Sequence, residues 1–176
     1  MGYFPKIATA LVLVGCASAA PAADAVATLE ILGHISPKCS IDLQDSTIVR
    51  ELTDGPGSEQ VGLSVDCNQR LVVNLRSQNG GFLHESGRRD SGSPGFISLL
   101  PYTATFEVDA SGASPVTFRS DEMIAGASGS IGVAPYAARG ELVLNWSPEK
   151  PLIGGAYTDV IEIRVSGEGE TGSSPT

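Results

Sequence analysis

QVGLSVDCNQRLVVNL, residues 60–75, decides the fold class. Val61, Leu63 and Val65 alternate with small or polar residues, so they share one face of an extended strand. Leu71, Val73 and Leu75 repeat the pattern in a second run. The period is two, the spacing of a half-buried β-strand, and no long helical period occurs along the chain.

Outward from this stretch the same grammar continues, with runs separated by Gly, Pro, Ser and Asp. Residues 77–95 read as a long loop with a short strand at Gly81–His84. Phe96 to Val108 is strand-like, with Tyr102, Ala104, Phe106 and Val108 in phase; Pro101 marks an edge position or a bend. A turn at Asp109–Ser114 precedes a short strand at Val116–Arg119, and Ala125–Gly132 is small and flexible. Glu141–Trp146 is a strand with Leu142, Leu144 and Trp146 on one face. After the turn-rich Ser147–Gly155, Tyr157–Val165 is the last strand, apolar at Ile161, Ile163 and Val165. Many short strands at such spacing predict an all-β sandwich or barrel.

The chain has 176 residues, a length that favours one domain. Residues 1–23 show the three-part layout of a signal peptide: Lys6, an apolar run from Ile7 to Gly15, then small residues to Ala23. The apolar run is too short to span a bilayer. Without it, 153 residues (176 − 23) are left, enough for one hydrophobic core. The net charge of −9 becomes −10 without Lys6, which repels phosphate backbones and argues against nucleic acid as a partner. The end of the chain, residues 167–176, reads as a disordered acidic, Gly- and Ser-rich tail.

Of three cysteines, Cys16 lies in the signal region. Leu13-Val14-Gly15-Cys16 resembles a bacterial lipoprotein box and makes Cys16 a candidate lipidation site; ordinary cleavage at a following alanine is the alternative. Cys39 and Cys67 are an even pair in an exported chain and read as a disulfide, against two buried free thiols.

No catalytic constellation emerges. His34 and His84 have no metal-ligand spacing, and no phosphate loop or nucleophile elbow occurs. Arg88-Arg89-Asp90 reads as a solvated loop tip. Trp146 lies in the formal sequon Asn145-Trp146-Ser147; it reads as a core residue, with a sugar-stacking platform as the competing role. The expectation is a protein that is not an enzyme and uses no metal or cofactor.

Ala27, Leu29, Ile31, Gly33 and Ile35 alternate with Thr28, Glu30, Leu32 and His34. Such a peptide can add a strand to an exposed sheet edge, with Gly33 where another backbone comes close. Equally, it can be the first strand of its own domain, with Gly33 at a bulge.

The stretch L-E-I-L-G-H-I-S-P-K-C-S-I, residues 29–41, resembles the N-terminal extension and first strand of chaperone–usher fimbrial (pilin) subunits. V-G-L-S-V-D-C at 61–67 and P-L-I-G-G-A-Y-T-D-V-I-E-I-R-V at 151–165 resemble that family's second and last strands. F-I-S-L-L-P-Y-T-A-T-F at 96–106 is similar to the related spore coat U-like secreted pilin group. The resemblance implies an incomplete immunoglobulin-like, pilin-type β-sandwich with an extended N-terminal donor strand. Residues 24–38 would be the extension and 39–166 the domain.

The implied function is that of a structural subunit of a bacterial surface fimbria or pilus. It would be assembled by donor-strand exchange and serve adhesion or biofilm formation. Ala27, Leu29, Ile31, Gly33 and Ile35 would insert into a neighbour, Cys39–Cys67 would tie the first strand to the second, and Tyr157, Ile161, Ile163 and Val165 would border the groove. Implied partners are neighbouring pilin subunits, a periplasmic chaperone, an outer-membrane usher and a host or surface receptor. The implied route is export to the periplasm, then to the cell surface. The polar tail and the lipoprotein-like box at Cys16 depart from the family pattern. They leave a self-complemented secreted or lipid-anchored binding module of the same fold as the alternative.

Overall fold

A computed structural model describes residues 29–49 and 51–169. The chain divides into two units at Ile35. In the first, the described residues 29–34 carry no regular secondary structure. The signal region, Cys16, Ala27 and residues 170–176 of the tail lie outside the described residues.

The second unit is all-β, with eleven strands among its described residues. They are β1 Cys39–Leu43, β2 Gly57–Cys67, β3 Leu71–Ser77, β4 Phe82–His84, β5 Leu99–Leu100, β6 Tyr102–Val108, β7 Val116–Arg119, β8 Ala127–Ser130, β9 Ala138–Trp146, β10 Tyr157–Thr158 and β11 Ile161–Gly167. A single turn of 3₁₀ helix, Glu122–Ile124, links β7 to β8. Three antiparallel sheets result, with orders β1-β2-β9-β6-β7, β11-β3-β8 and β10-β4-β5.

Alternation places the core. Val61, Leu63 and Val65 of β2, Tyr102, Ala104 and Phe106 of β6, and Leu142 and Leu144 of β9 point from the five-stranded sheet into one buried cluster. Leu71, Val73 and Leu75 of β3 enter it from the other side and are 0% exposed. These are the residues the period-two pattern puts on a common face.

Sheet order leaves two flanks, with β1 beside β11 at one and β7 beside β8 at the other. The β7–β8 flank is filled. Val116 and Phe118 lie so close to Gly129 that a Cβ there would stand 2.9 and 3.0 Å from them. Met123, in the connecting helical turn, is fully buried beside them. Within the segment Ala125–Gly132, expected to be flexible, Ala127–Ser130 is a strand: its small residues let β8 lie close under β7 while pairing with β3.

Three boundaries differ from expectation. Pro101 is a bend, dividing the run Phe96–Val108 between β5 and β6, and β6 is an interior strand. The run Tyr157–Val165 breaks at Asp159 and Val160, so Tyr157 pairs with His84 in the small sheet and only Ile161 onward pairs with β3. β11 also extends to Gly167, and the Glu168 N–H donates to the Arg70 carbonyl at 2.7 Å, so the tail starts later than the composition suggests.

Cys39 and Cys67 face each other across β1 and β2 and form a disulfide, with Cα atoms 4.1 Å apart. Asn68 sets this register. Its side-chain oxygen accepts from the Lys38 N–H at 2.9 Å and its amide donates to the Ser36 carbonyl at 2.9 Å. The bridge closes a sequence separation of 28 residues, for which chain entropy gives about 3–4 kcal/mol. Replacing both cysteines by serine is expected to lower the unfolding free energy by about that amount, read from the denaturant midpoint. A midpoint equal to the parent's would show that the bridge does not constrain the unfolded chain.

Candidate functional site

β11 pairs on one edge only. Its register with β3 runs from Ile161 opposite Ser77 to Gly167 opposite Leu71, and no described strand pairs with its other edge. β1 likewise pairs only with β2, from Cys39 opposite Cys67 to Leu43 opposite Leu63. The two half-paired strands lie along one flank. Their backbones offer donors and acceptors there that a further strand could take.

The side chains along this flank are apolar and incompletely covered. Ile161, Ile163 and Val165 point inward and pack on the core, yet all three stay half-buried. Cys39 and Ile41 of β1 are in the same position. On β3, one strand inward, the equivalent side chains are wholly enclosed. The outward residues of β11 are charged, and Arg164 donates to Glu162 from Nε at 2.9 Å and from its terminal nitrogen at 2.7 Å. An edge strand with a charged outer side and an apolar inner side suits solvent on one face and a covering strand along its edge.

Beside β10 lies a small cavity of about 80 Å³. Phe82, Leu144, Trp146 and Tyr157 line it with Ile48, Leu52 and Glu59. Trp146 meets Phe82 edge-on with ring centroids 5.5 Å apart, and its indole lies over Gly57, where a Cβ would come within 2.5 Å of the ring. The Tyr157 ring stands edge-on to His84 at 5.3 Å, and its hydroxyl hydrogen is shared between the carbonyls of Ile97 and Ile153 at 3.0 and 3.1 Å. Tyr157 thus borders this cavity from β10, not from β11.

The root of β11 is held by a carboxylate. Asp159 accepts hydrogen bonds from the Tyr102 hydroxyl at 2.7 Å and the Ser77 hydroxyl at 2.6 Å through one oxygen. Its other oxygen accepts from the backbone N–H groups of Asn79 at 2.9 Å and Val160 at 2.8 Å. Burial, and then the Asp159 carboxylate that accepts its proton, push the Tyr102 hydroxyl well above the ordinary phenol range. Ser120, fully buried, continues the network by donating to the Gly80 carbonyl and accepting from the Tyr102 N–H. Asp159 is not among the site residues that the sequence pattern marks. Its one signal was its place in Gly155-Ala156-Tyr157-Thr158-Asp159, a run noted for another reason.

Of the residues expected to insert, Leu29, Ile31 and Ile35 are 82%, 84% and 84% exposed. Gly33 is not among the glycines with positive φ, and a Cβ built on it would meet open space. Among the described residues no three His, Cys, Asp or Glu side chains are grouped so as to hold a metal ion. Compared with family models, curated proteins and solved structures, the chain finds no match.

Removing the Asp159 carboxylate strands the Tyr102 and Ser77 hydroxyls in a part-buried site. Asp159→Ala is expected to cost about 2–4 kcal/mol of unfolding free energy, and Tyr102→Phe about 1–2 kcal/mol. Denaturant titration of both variants measures this. A loss below ~0.5 kcal/mol for Asp159→Ala would mean the carboxylate does not fasten β11.

Proposed function

We propose that the chain is a structural subunit of a bacterial surface fimbria. Its domain is an immunoglobulin-like sandwich of pilin type that lacks one strand, and subunits join by exchanging a donor strand. The observation that carries this reading is the flank between β1 and β11: two half-paired strands with a line of half-buried apolar side chains between them. An apolar peptide laid there would take up the free backbone groups of an edge and cover Ile161, Ile163 and Val165 together.

The donor in this reading is the segment with Leu29, Ile31, Gly33 and Ile35 of another copy, continued to Ala27. Its apolar side chains are exposed. Nothing in the backbone angle or the surroundings of Gly33 calls for glycine, whereas a close approach to an acceptor does. An uncovered apolar edge is also an aggregation hazard, which supplies the reason for a periplasmic chaperone before assembly and an usher at the outer membrane. The proposed location is the periplasm in transit and the fimbria at the surface. There the proposed role is adhesion or biofilm formation, without catalysis.

Surface material run in detergent, unheated and heated, and probed for this chain tests the reading. The expected result is a ladder of multiples that collapses on heating, because strand exchange traps subunits kinetically. Gly33→Trp in the donor and Ile163→Asp in the acceptor are each expected to reduce the multiples at least about tenfold, the rate effect of ~1.4 kcal/mol. An abundant monomer in both lanes would overturn the reading in favour of a self-complemented binding module.

A further inference from the structure

The outer face of the five-stranded sheet carries a polar row across three strands. Asn145 of β9 is opposite Thr103 of β6, and Thr103 is opposite Arg119 of β7. These three residues line an open depression of about 350 Å³ together with Asp121, Pro101 and Trp146. It lies at the end of the sheet, away from the edge that β11 leaves free, and nothing in the strand-exchange reading uses it.

Two of its polar groups are unspent. Among the described residues, neither the Asn145 carboxamide nor the Thr103 hydroxyl has a hydrogen-bond partner in the chain. A carboxamide offers two donors and an acceptor in one plane, and a hydroxyl offers both roles. The third group is already organised. Arg119 donates to Asp121 from Nε at 3.1 Å and from a terminal nitrogen at 3.4 Å, a two-point fork. The guanidinium holds the Asp121 carboxyl below the usual carboxylate range, so it stays an acceptor through neutral pH. The same pairing cancels the positive charge that an anion would need, and the chain as a whole carries −9.

We propose that this depression binds a neutral saccharide, with Asn145, Thr103 and the Arg119–Asp121 fork taking its hydroxyls. A sugar ring presents adjacent hydroxyls that both donate and accept, matching a carboxamide beside a carboxylate. Its C–H face suits the apolar ring of Pro101 at the same wall. A phosphate or sulfate ester finds no uncompensated cation there.

Saturation-transfer NMR on the full chain tests this with methyl glycosides of mannose, galactose and N-acetylglucosamine, with cellopentaose, and with glucuronic acid as the anionic probe. At ~10 mM a millimolar site is about nine-tenths filled. The expected result is transfer to at least one neutral probe, with glucuronic acid weaker than its neutral counterparts. Binding of cellopentaose alone would assign the site to the interior of a glycan chain; binding of a methyl glycoside would assign it to a terminal unit. Asn145→Ala and Arg119→Gln are each expected to weaken binding about tenfold, the loss of one good hydrogen-bonding group. Both side chains are exposed, so the unfolding midpoint should stay at the parent value. No transfer from any neutral probe, equal or stronger binding of glucuronic acid, or binding that both substitutions leave intact would each overturn the proposal.

Discussion

β11 is paired along one edge only, and the rest of the molecule is arranged around that constraint. Ile161, Ile163 and Val165 rest on the same cluster that encloses β3 completely, yet they stay half-buried because β11 is the last strand of its sheet. Burial of apolar area is worth roughly 25 cal/mol per Å², so each of these side chains holds back part of what it could contribute. A strand that gains little from its free edge must be secured elsewhere. Its seven paired residues along β3 provide one fastening, and the four hydrogen bonds to Asp159 at its root provide the other.

The position of that carboxylate also explains why the last strand is broken. For Asp159 to turn toward Ser77 and Tyr102, its neighbours must leave the ladder, and β10 and β11 separate there. β10 then belongs to the small sheet with β4, and it carries Tyr157 to the cavity beside Trp146. One polar cluster therefore sets both where the free edge begins and which sheet Tyr157 joins. Tyr102 belongs to the five-stranded sheet and Ser77 to the opposite one, so the cluster also ties the two layers together.

Period-two patterning made most of this legible. Val61, Leu63, Val65, Leu71, Val73, Leu75, Tyr102, Ala104, Phe106, Leu142 and Leu144 all lie in the core where alternation puts them, because a strand has only two faces. The disulfide was legible from cysteine parity. Three features were not. β8 consists of Ala, Ser and Gly, whose low strand preference is overridden by pairing with β3 and by the close cover of Val116 and Phe118. Asp159 follows a tyrosine and a threonine in a stretch that alternates acceptably, and only tertiary partners make it a breaker. The polar row Asn145–Thr103–Arg119 comes from three strands far apart in sequence, joined by register alone.

The two flanks put the free edge in perspective. Both are places where the outermost strands of the two sheets come side by side, and both include an apolar strand, β7 at one and β11 at the other. At the β7 flank the partner strand has the sequence Ala-Ser-Gly-Ser, so the backbones come close, Val116 and Phe118 cover Gly129, and Met123 fills the end. At the β11 flank the facing strand carries Cys39 and Ile41, β11 answers with Ile161, Ile163 and Val165, and all five stay half-buried. The chain thus has a local means of sealing a flank and uses it at one of the two. Five half-buried apolar side chains along the second flank, beside two half-paired strands, are the physical ground of the proposal that a further strand covers it.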